Sequence, residues 1–432
     1  MMTSSHALPA TWSAADAERW LLSLELFGMR FGLERMRELM AALGAPNEAF
    51  RSIHVVGTNG KSSTVRMIAA LLEQHGVHTG AYLSPHLVSF AERIRIDGVD
   101  VSPEQLAAAV ARARAVTEIV DRTLASGDVV TQFEALTAAA YTWLAEARVE
   151  VAVVEAGLGG RWDATNVLGA EIVVLTNIGL EHTRWLGSTV AEIAREKLAV
   201  LAPGATLVLG ADLHPDADAQ AQIAAERQEA TIMRAPAEPD ALPAGFELLA
   251  RGAFQRRNFA VACTAARVYL SSLEQARVCA AAASTAVPGR FEVVADGDGG
   301  GELVLDGAHN VAGIAALVES LPAFLAGRRL VAVVSVLDDK DVAPMLEHLL
   351  ALCTGVVFTA SANPRALAPR TLAQLAGDRP AHVVARMEDD PRRALAVARE
   401  LAGCGGVVLA TGSIYLVADL ARPAGAGRGS LL

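Results

Sequence analysis

Cysteine is scarce. The 432 residues hold four, Cys263, Cys279, Cys353 and Cys404, widely scattered and without a C-x-x-C pair. That excludes a zinc knuckle and a disulfide framework, and a reducing cytoplasm is the expected compartment. No apolar run reaches the length of a membrane span. Residues 1–15 lack a basic stretch followed by an apolar one, so no secretory signal is expected. There is no surplus of basic charge: 37 Lys and Arg stand against 48 Asp and Glu, a net −11. A general nucleic-acid or anionic-membrane surface is therefore not expected. A G-x-G-x-x-G fingerprint is also missing, so a dinucleotide is not implied. What remains is a chain with 52% apolar and 20% charged residues, too long for one ordinary core. Two well-buried domains are the expectation.

One stretch organises the rest: Ile53-His54-Val55-Val56-Gly57-Thr58-Asn59-Gly60-Lys61-Ser62-Ser63-Thr64-Val65. Ile53, Val55 and Val56 favour a buried strand. Val65, Ile68, Ala69 and Leu72 recur at helical spacing. Between them, Gly57 and Gly60 let main-chain N–H groups approach a ligand at a helix N-terminus, where the dipole favours an anion. Lys61 adds a mobile positive charge, and Ser62 and Ser63 add hydroxyls. This chemistry holds a polyphosphate. The match to G-x-x-x-x-G-K-[ST] is incomplete, because Val55 stands where the first glycine belongs. A plain strand–turn–helix is the bland alternative.

In chain order, residues 14–27 and 33–43 read as a helical lead-in. Further strands are expected at 79–83, 151–155, 172–176 and 206–210, with helices at 103–125, from 131 to about 147, and at 189–202. Thr131 is a candidate N-cap. Residues 211–250 read as a surface excursion with a short hairpin. The Pro-Gly stretch 287–291 reads as a hinge. A second set of strands is expected at 302–305, 330–336, 355–359, 382–385 and 407–411, followed by a loose tail from 422. Strands alternating with helices imply α/β architecture with parallel sheets. The expected division is an ATP-binding domain over 1–287 and a smaller Rossmann-like domain over 288–432.

Ligands of such sheets bind at the carboxyl ends of the strands. Gly57, Ser84, Glu155 and His182 all follow strand ends and so fall on one rim. Mg²⁺ takes few protein oxygens besides phosphate and water. Ser84 and Glu155 suit that role, and His182 could ligate a second ion. The bland readings are a turn serine, a helix cap and a surface histidine. The second unit has its own polar strand ends, Asp306-Gly307-Ala308-His309-Asn310 and Asp339-Lys340-Asp341.

These motifs, with Ser84-Pro85-His86-Leu87, Glu155-Ala156-Gly157-Leu158-Gly159-Gly160-Arg161, Asp163-Ala164-Thr165-Asn166, Asn177-Ile178-Gly179-Leu180-Glu181-His182-Thr183 and Arg195-Glu196-Lys197, carry a resemblance. From about residue 20 to 420 the chain resembles the bifunctional dihydrofolate synthase/folylpolyglutamate synthase family, relatives of the Mur ligases. The resemblance implies an ATP-dependent ligase that joins L-glutamate to dihydropteroate or to folate glutamates through an acyl phosphate. It implies ATP contacts from Thr58, Asn59, Gly60, Lys61, Ser62, Ser63, Asn258, Arg290 and Asp306. It implies Mg²⁺ ligands at Ser84, Glu155 and His182, a monovalent cation, and carbamylation of Lys197. Lys61, Lys197 and His309 are the implied catalytic groups. Thr131, Gln132, Phe133, Glu134, Trp162, Asp163 and Ala164 form the implied pterin-side pocket. A monomer acting on small molecules is expected, with no nucleic-acid or membrane partner. Five positions depart from the family pattern: Ser62 and Val311 replace a usual glycine and proline, Trp162 a leucine, and Leu198-Ala199 an Ala-Gly pair. Three alternatives stay open: a Mur- or cyanophycin-type ligase on another acid, a P-loop kinase or NTPase, and a nucleotide-regulated binding module.

Overall fold

The computed structural model describes residues 12–24, 32–125, 127–238, 248–295, 301–377 and 380–423. It has two sheets. The first holds β1 (Arg51–Val56), β2 (Thr79–Tyr82), β3 (Ile94–Ile96), β4 (Val99–Asp100), β5 (Val151–Glu155), β6 (Ile172–Leu175), β7 (Thr206–Leu209) and β8 (Thr231–Arg234). Their spatial order is β4-β3-β2-β5-β1-β6-β7-β8. All pairings from β2 to β8 are parallel, and β3 and β4 extend the edge antiparallel.

The second sheet holds β9 (Glu292–Ala295), β10 (Glu302–Leu305), β11 (Leu330–Val334), β12 (Gly355–Phe358), β13 (Val384–Met387) and β14 (Val407–Thr411). Its order is β13-β12-β11-β14-β10-β9, parallel except for β9. The two-domain α/β reading therefore holds, with mostly parallel sheets.

Near-continuous apolar strands form because both faces are covered. Ile53, Val55, Val153 and Val174 pack against the helices Lys61–Gln74 and Ala253–Leu270. On the opposite face, Tyr82, Ala152 and Val154 meet the helices Pro103–Val120 and Gln132–Glu146. Val173, Leu175, Leu207 and Leu209 meet the helices Val190–Lys197 and Pro215–Arg227. Each fully buried Val, Leu or Ile side chain contributes about 1.5–3 kcal/mol.

Several expectations are corrected. Residues 211–250 contain no hairpin among the described residues. They supply the helix Pro215–Arg227 and a parallel strand, β8, because Ala217 and Ala221 give that helix an apolar stripe to bury. The strand expected at 382–385 lies at Val384–Met387, and β3, β4 and β9 had no sequence expectation. The first helix ends at Ser23, and residues 25–31 fall outside the described ones. The tail is not loose at its start: Arg422 is buried and its Nη2 donates to the Leu87 carbonyl at 2.6 Å. Residues 424–432 lie outside the described residues.

Candidate active site

The order β2-β5-β1-β6 lines up four strand ends in one row. Ser84 follows β2, Glu155 ends β5, the glycine-lysine loop follows β1 and Asn177 follows β6. Loop geometry is enforced from both sides. The Thr58 N–H donates to the Asn177 carbonyl at 2.9 Å, and the Asn59 N–H donates to Asn177 Oδ1 at 2.9 Å. Gly57 sits at φ 149°, and a Cβ there would stand 2.0 Å from Thr176 Oγ1. At Gly60, φ 82°, a Cβ would meet Asn258 Oδ1 at 2.5 Å. Only glycine tolerates both the dihedral and the contact. Asn258 is buried and held by Gln255 at 3.0 Å, so it stands directly against the loop.

Lys61 curls back over the loop, donating to the carbonyls of Gly57 (3.2 Å) and Thr58 (3.1 Å). Ser63 is buried at the helix start, whereas the Ser62 hydroxyl donates to Glu155 Oε1 at 2.9 Å. The Ser84 N–H donates to Glu155 Oε2 at 3.2 Å. Burial raises the Glu155 carboxyl above its ordinary range, against the pull of Lys61, these hydrogen bonds and Arg290. A buried carboxylate beside two serines and a phosphate loop fits a hard cation that keeps water and phosphate in its shell. His182 takes a left-handed turn at φ 51°, and burial depresses its imidazole to about 4. The ring is neutral near pH 7, with a nitrogen lone pair available to a metal. Among the described residues, no three His, Cys, Asp or Glu side chains gather into one metal-holding group.

Lys197 is buried and donates to the Gly57 carbonyl at 2.8 Å. Burial, reinforced by Lys61, depresses its amine to about 7, although Glu181, Asp163 and Glu196 oppose that shift. The ammonium is the destabilised form. The resulting penalty is complete below about pH 7 and is relieved as pH rises toward the ordinary lysine value. Lys197→Met is therefore expected to raise stability by on the order of 3 kcal/mol near pH 6, with less gain at pH 9. Thermal melts of both proteins across pH 6–9 check this. A gain that does not shrink with rising pH would contradict it.

The second sheet's polar ends reach the first. Asn59 and Asn310 exchange side-chain amide hydrogen bonds at 3.1 and 3.0 Å, and Asn310 also caps the helix Val311–Leu325. Glu181, 8% exposed, accepts from His309 Nε2 at 2.8 Å and lies 3.4 Å from Lys340 Nζ. His309 Nδ1 stands 2.8 Å from the Gly307 carbonyl, so each ring nitrogen faces an acceptor. Burial would raise the Glu181 carboxyl, but His309, Lys340 and His182 more than offset it and hold it well below the usual range. Asp306 is buried, its carboxylate accepting from the N–H groups of Phe291 and Ala308, both at 2.8 Å, and burial raises its pKa. Arg290 packs where a Cβ on Gly307 would stand, and its charge acts on both Asp306 and Glu155.

The pterin-side set divides. Thr131 and Glu134 form a capping box, and Glu134 also binds Arg35 Nε at 3.0 Å. Gln132 donates to the Leu21 carbonyl at 2.8 Å. These three side chains thus have partners in the fold. Phe133 lies against Gly157 and stacks on Tyr82. Asp163 is buried, its carboxylate accepting from Leu158 N at 2.7 Å and Thr165 N at 3.0 Å, so it shapes the glycine loop; burial raises its pKa. Ala164 is core, whereas Trp162 is exposed. Sequence reasoning assigned no role to Glu181 or Asn177, and placed Asn310 and Lys340 only among the polar strand ends of the second unit. Their only signal was a place in polar strand-end loops.

Comparison with known proteins converges on one group. The family described as "Mur ligase, glutamate ligase domain" matches residues 289–414. The dihydrofolate synthase/folylpolyglutamate synthase of Bacillus subtilis (strain 168) is 32% identical over 431 residues, covering 94% of this chain and 98% of that protein. The Mycobacterium tuberculosis folylpolyglutamate synthase solved with ADP superposes with a TM-score of 0.85 at 32% identity, covering 95% and 97% of the two chains. The bifunctional enzyme from Yersinia pestis, solved with AMPPNP and a manganese ion, gives 0.81 at 28% identity, covering 95% and 97%. Given this likeness along nearly the whole chain, it belongs to the dihydrofolate synthase/folylpolyglutamate synthase family.

Proposed function

We propose that the chain is an ATP-dependent carboxylate–amine ligase. It adds L-glutamate to dihydropteroate and to the γ-carboxyl of tetrahydrofolate glutamates. The observation that carries this reading is the joining of the phosphate loop to the second sheet through Asn59 and Asn310, beside the Glu181–His309–Lys340 cluster. A kinase or simple NTPase would need only the loop.

Thr58 to Ser63, with Asn258, Arg290 and Asp306, would hold ATP. Glu155, the Ser84 hydroxyl and the neutral His182 would hold Mg²⁺, which supplies charge neutralisation on the phosphates when bound. Lys61 stabilises charge on the γ-phosphoryl as it passes to the substrate carboxylate, giving an acyl phosphate and ADP. The glutamate amine attacks the acyl carbon, and phosphate leaves with formation of the amide. His309, set by Glu181, orients the amine-side substrate. A closed cleft excludes water, which would otherwise hydrolyse the acyl phosphate. Phe133 and Trp162 offer faces to the pterin, while Thr131, Gln132, Glu134, Asp163 and Ala164 support that wall.

The proposed division runs at 287/288. Buried clusters of the first sheet draw on residues up to Val287, and those of the second sheet almost wholly on Phe291 and beyond, with Leu87 crossing over. An amine depressed to about 7 is half unprotonated at neutral pH, which favours carbamylation of Lys197. Lower activity in CO₂-depleted buffer, restored by bicarbonate, would support this. No helix among the described residues is long and apolar enough to cross a membrane. A cytoplasmic monomer binding ATP, Mg²⁺ and a monovalent cation completes the proposal, with light scattering and salt-dependent rates as checks.

ADP release with L-glutamate, comparing dihydropteroate with tetrahydrofolate, tests the main reading. ADP release that ignores glutamate, or yields no amide, would favour a kinase or NTPase. Glu155→Gln is expected to raise the Mg²⁺ requirement and lower the maximal rate by about 10²-fold. The melting temperature should hold or rise, because the buried carboxylate carries a desolvation cost. An unchanged Mg²⁺ titration would make Glu155 a structural cap.

A further inference from the structure

A cleft of about 590 Å³, its open side included, lies between the helices Val190–Lys197 and Pro215–Arg227. Arg161, Arg195 and Arg227 line it, with Gln220, Leu198 and Ile223. The placement follows from helical spacing. Gln220, Ile223 and Arg227 share one stripe, and Arg195 stands one turn before Leu198. Three guanidinium groups thus converge on one cleft in a chain of net charge −11. Arg161 meets Glu196 at 3.0 Å, and Arg195 Nε meets Gln220 Oε1 at 3.4 Å. Among the described residues, no ion pair joins Arg195 or Arg227 to a carboxylate.

The cleft borders the reaction centre through one loop. The Arg161 N–H donates to the Glu196 carbonyl at 3.0 Å, fixing the glycine loop onto the helix that carries Lys197. Lys197 points inward to Gly57, while Arg195, two residues earlier, is exposed on the other side. On the ligase reading, each added glutamate leaves the new γ-carboxyl at the reaction centre. The pterin end must then move outward, past the loop that carries Trp162. Arg161, next in the chain to Trp162, lines this cleft.

We propose that the Arg161–Arg195–Arg227 cleft holds the γ-glutamyl tail of a lengthened substrate; this rests on the ligase reading above. Guanidinium forks match the α-carboxylates that every γ-linked unit leaves free. Leu198 and Ile223 offer an apolar floor to the intervening methylenes.

The test compares tetrahydrofolate substrates with one, two and three γ-linked glutamates in the wild type and in the double variant Arg195→Gln/Arg227→Gln. Wild-type KM should fall as the tail lengthens. In the variant, KM for the triglutamate should rise about fivefold to tenfold, with the monoglutamate unchanged. Equal effects at all lengths, or none, would overturn the proposal. Should no folate be ligated at all, the ligase reading fails separately. A labelled tri-γ-glutamate peptide then tests the cleft by fluorescence anisotropy. Binding lost in the variant supports the cleft, and binding unchanged in the variant, or absent from the wild type, overturns it. Displacement by tripolyphosphate as readily as by unlabelled peptide would mark a general anion site and likewise overturn it.

Discussion

Lys61→Ala is expected to remove at least about 10²- to 10³-fold of ATP-dependent amide formation. Among the described residues, its ammonium hydrogen-bonds to the carbonyls of Gly57 and Thr58, at 3.2 and 3.1 Å, and it belongs to no buried apolar cluster. Those carbonyls remain open to water or ligand after truncation, so stability should change by no more than about 0.5 kcal/mol. The loop geometry itself rests on Gly57, Gly60 and Asn177 rather than on Lys61. Loss of activity with an unchanged melt would therefore isolate the phosphate role. Near-wild-type turnover in this variant would sink the phosphate-loop assignment.

The second large effect concerns the contact between the halves. His309→Ala should lower ligation by about 10²-fold with little loss of stability, because its side chain is 30% exposed. Glu181 would keep Lys340 as a partner, so its carboxylate is not stranded. Asp306→Ala is a different experiment. The buried carboxylate satisfies the N–H groups of Phe291 and Ala308, and leaving them unpaired costs about 1–3 kcal/mol each. Sequence alone treats His309 and Asp306 alike, as neighbours in one motif; the structure separates an accessible group from a buried brace. Fragment 1–287 should fold, since its buried clusters are nearly self-contained, and should fail to ligate without His309 and Asn310. Amide formation by that fragment at the full-length rate would overturn the shared-cleft mechanism.

Much of this was legible from local pattern. Mostly apolar runs rich in β-branched residues marked β1, β5, β6, β11 and β14, because a strand covered on both faces needs apolar side chains at most positions. The glycine-lysine loop was legible because phosphate binding demands backbone freedom, a helix start and a cation within a few residues. Edge strands were not. β3, β4 and β8 are short and partly polar, and their pairing depends on a neighbour already in place. Of the pterin-side residues, Thr131 read locally as an N-cap, while the resemblance implied a site role for it and for Glu134. The cap is visible as a capping box, and only Arg35, distant in sequence, completes the Glu134 pairing.

By itself the sequence determined the two-sheet α/β class, the phosphate loop and the placement of Ser84, Glu155 and His182 near one rim. Each follows from short-range chemistry: side-chain periodicity, turn residues and what stands after a strand. Only the tertiary structure decided which rim residues meet. It set Ser62 and Ser84 on Glu155, buried Lys197 against Gly57, and joined Asn59 to Asn310 and Glu181 to His309 and Lys340. Those partners are far apart along the chain, so no spacing rule connects them. They come together because parallel crossovers place β5 and β6 on either side of β1, and because the second sheet docks its strand ends against that row. Burial there also depresses the Lys197 amine and raises the Glu155 carboxyl, since charge loses its water only once the chain has closed around it.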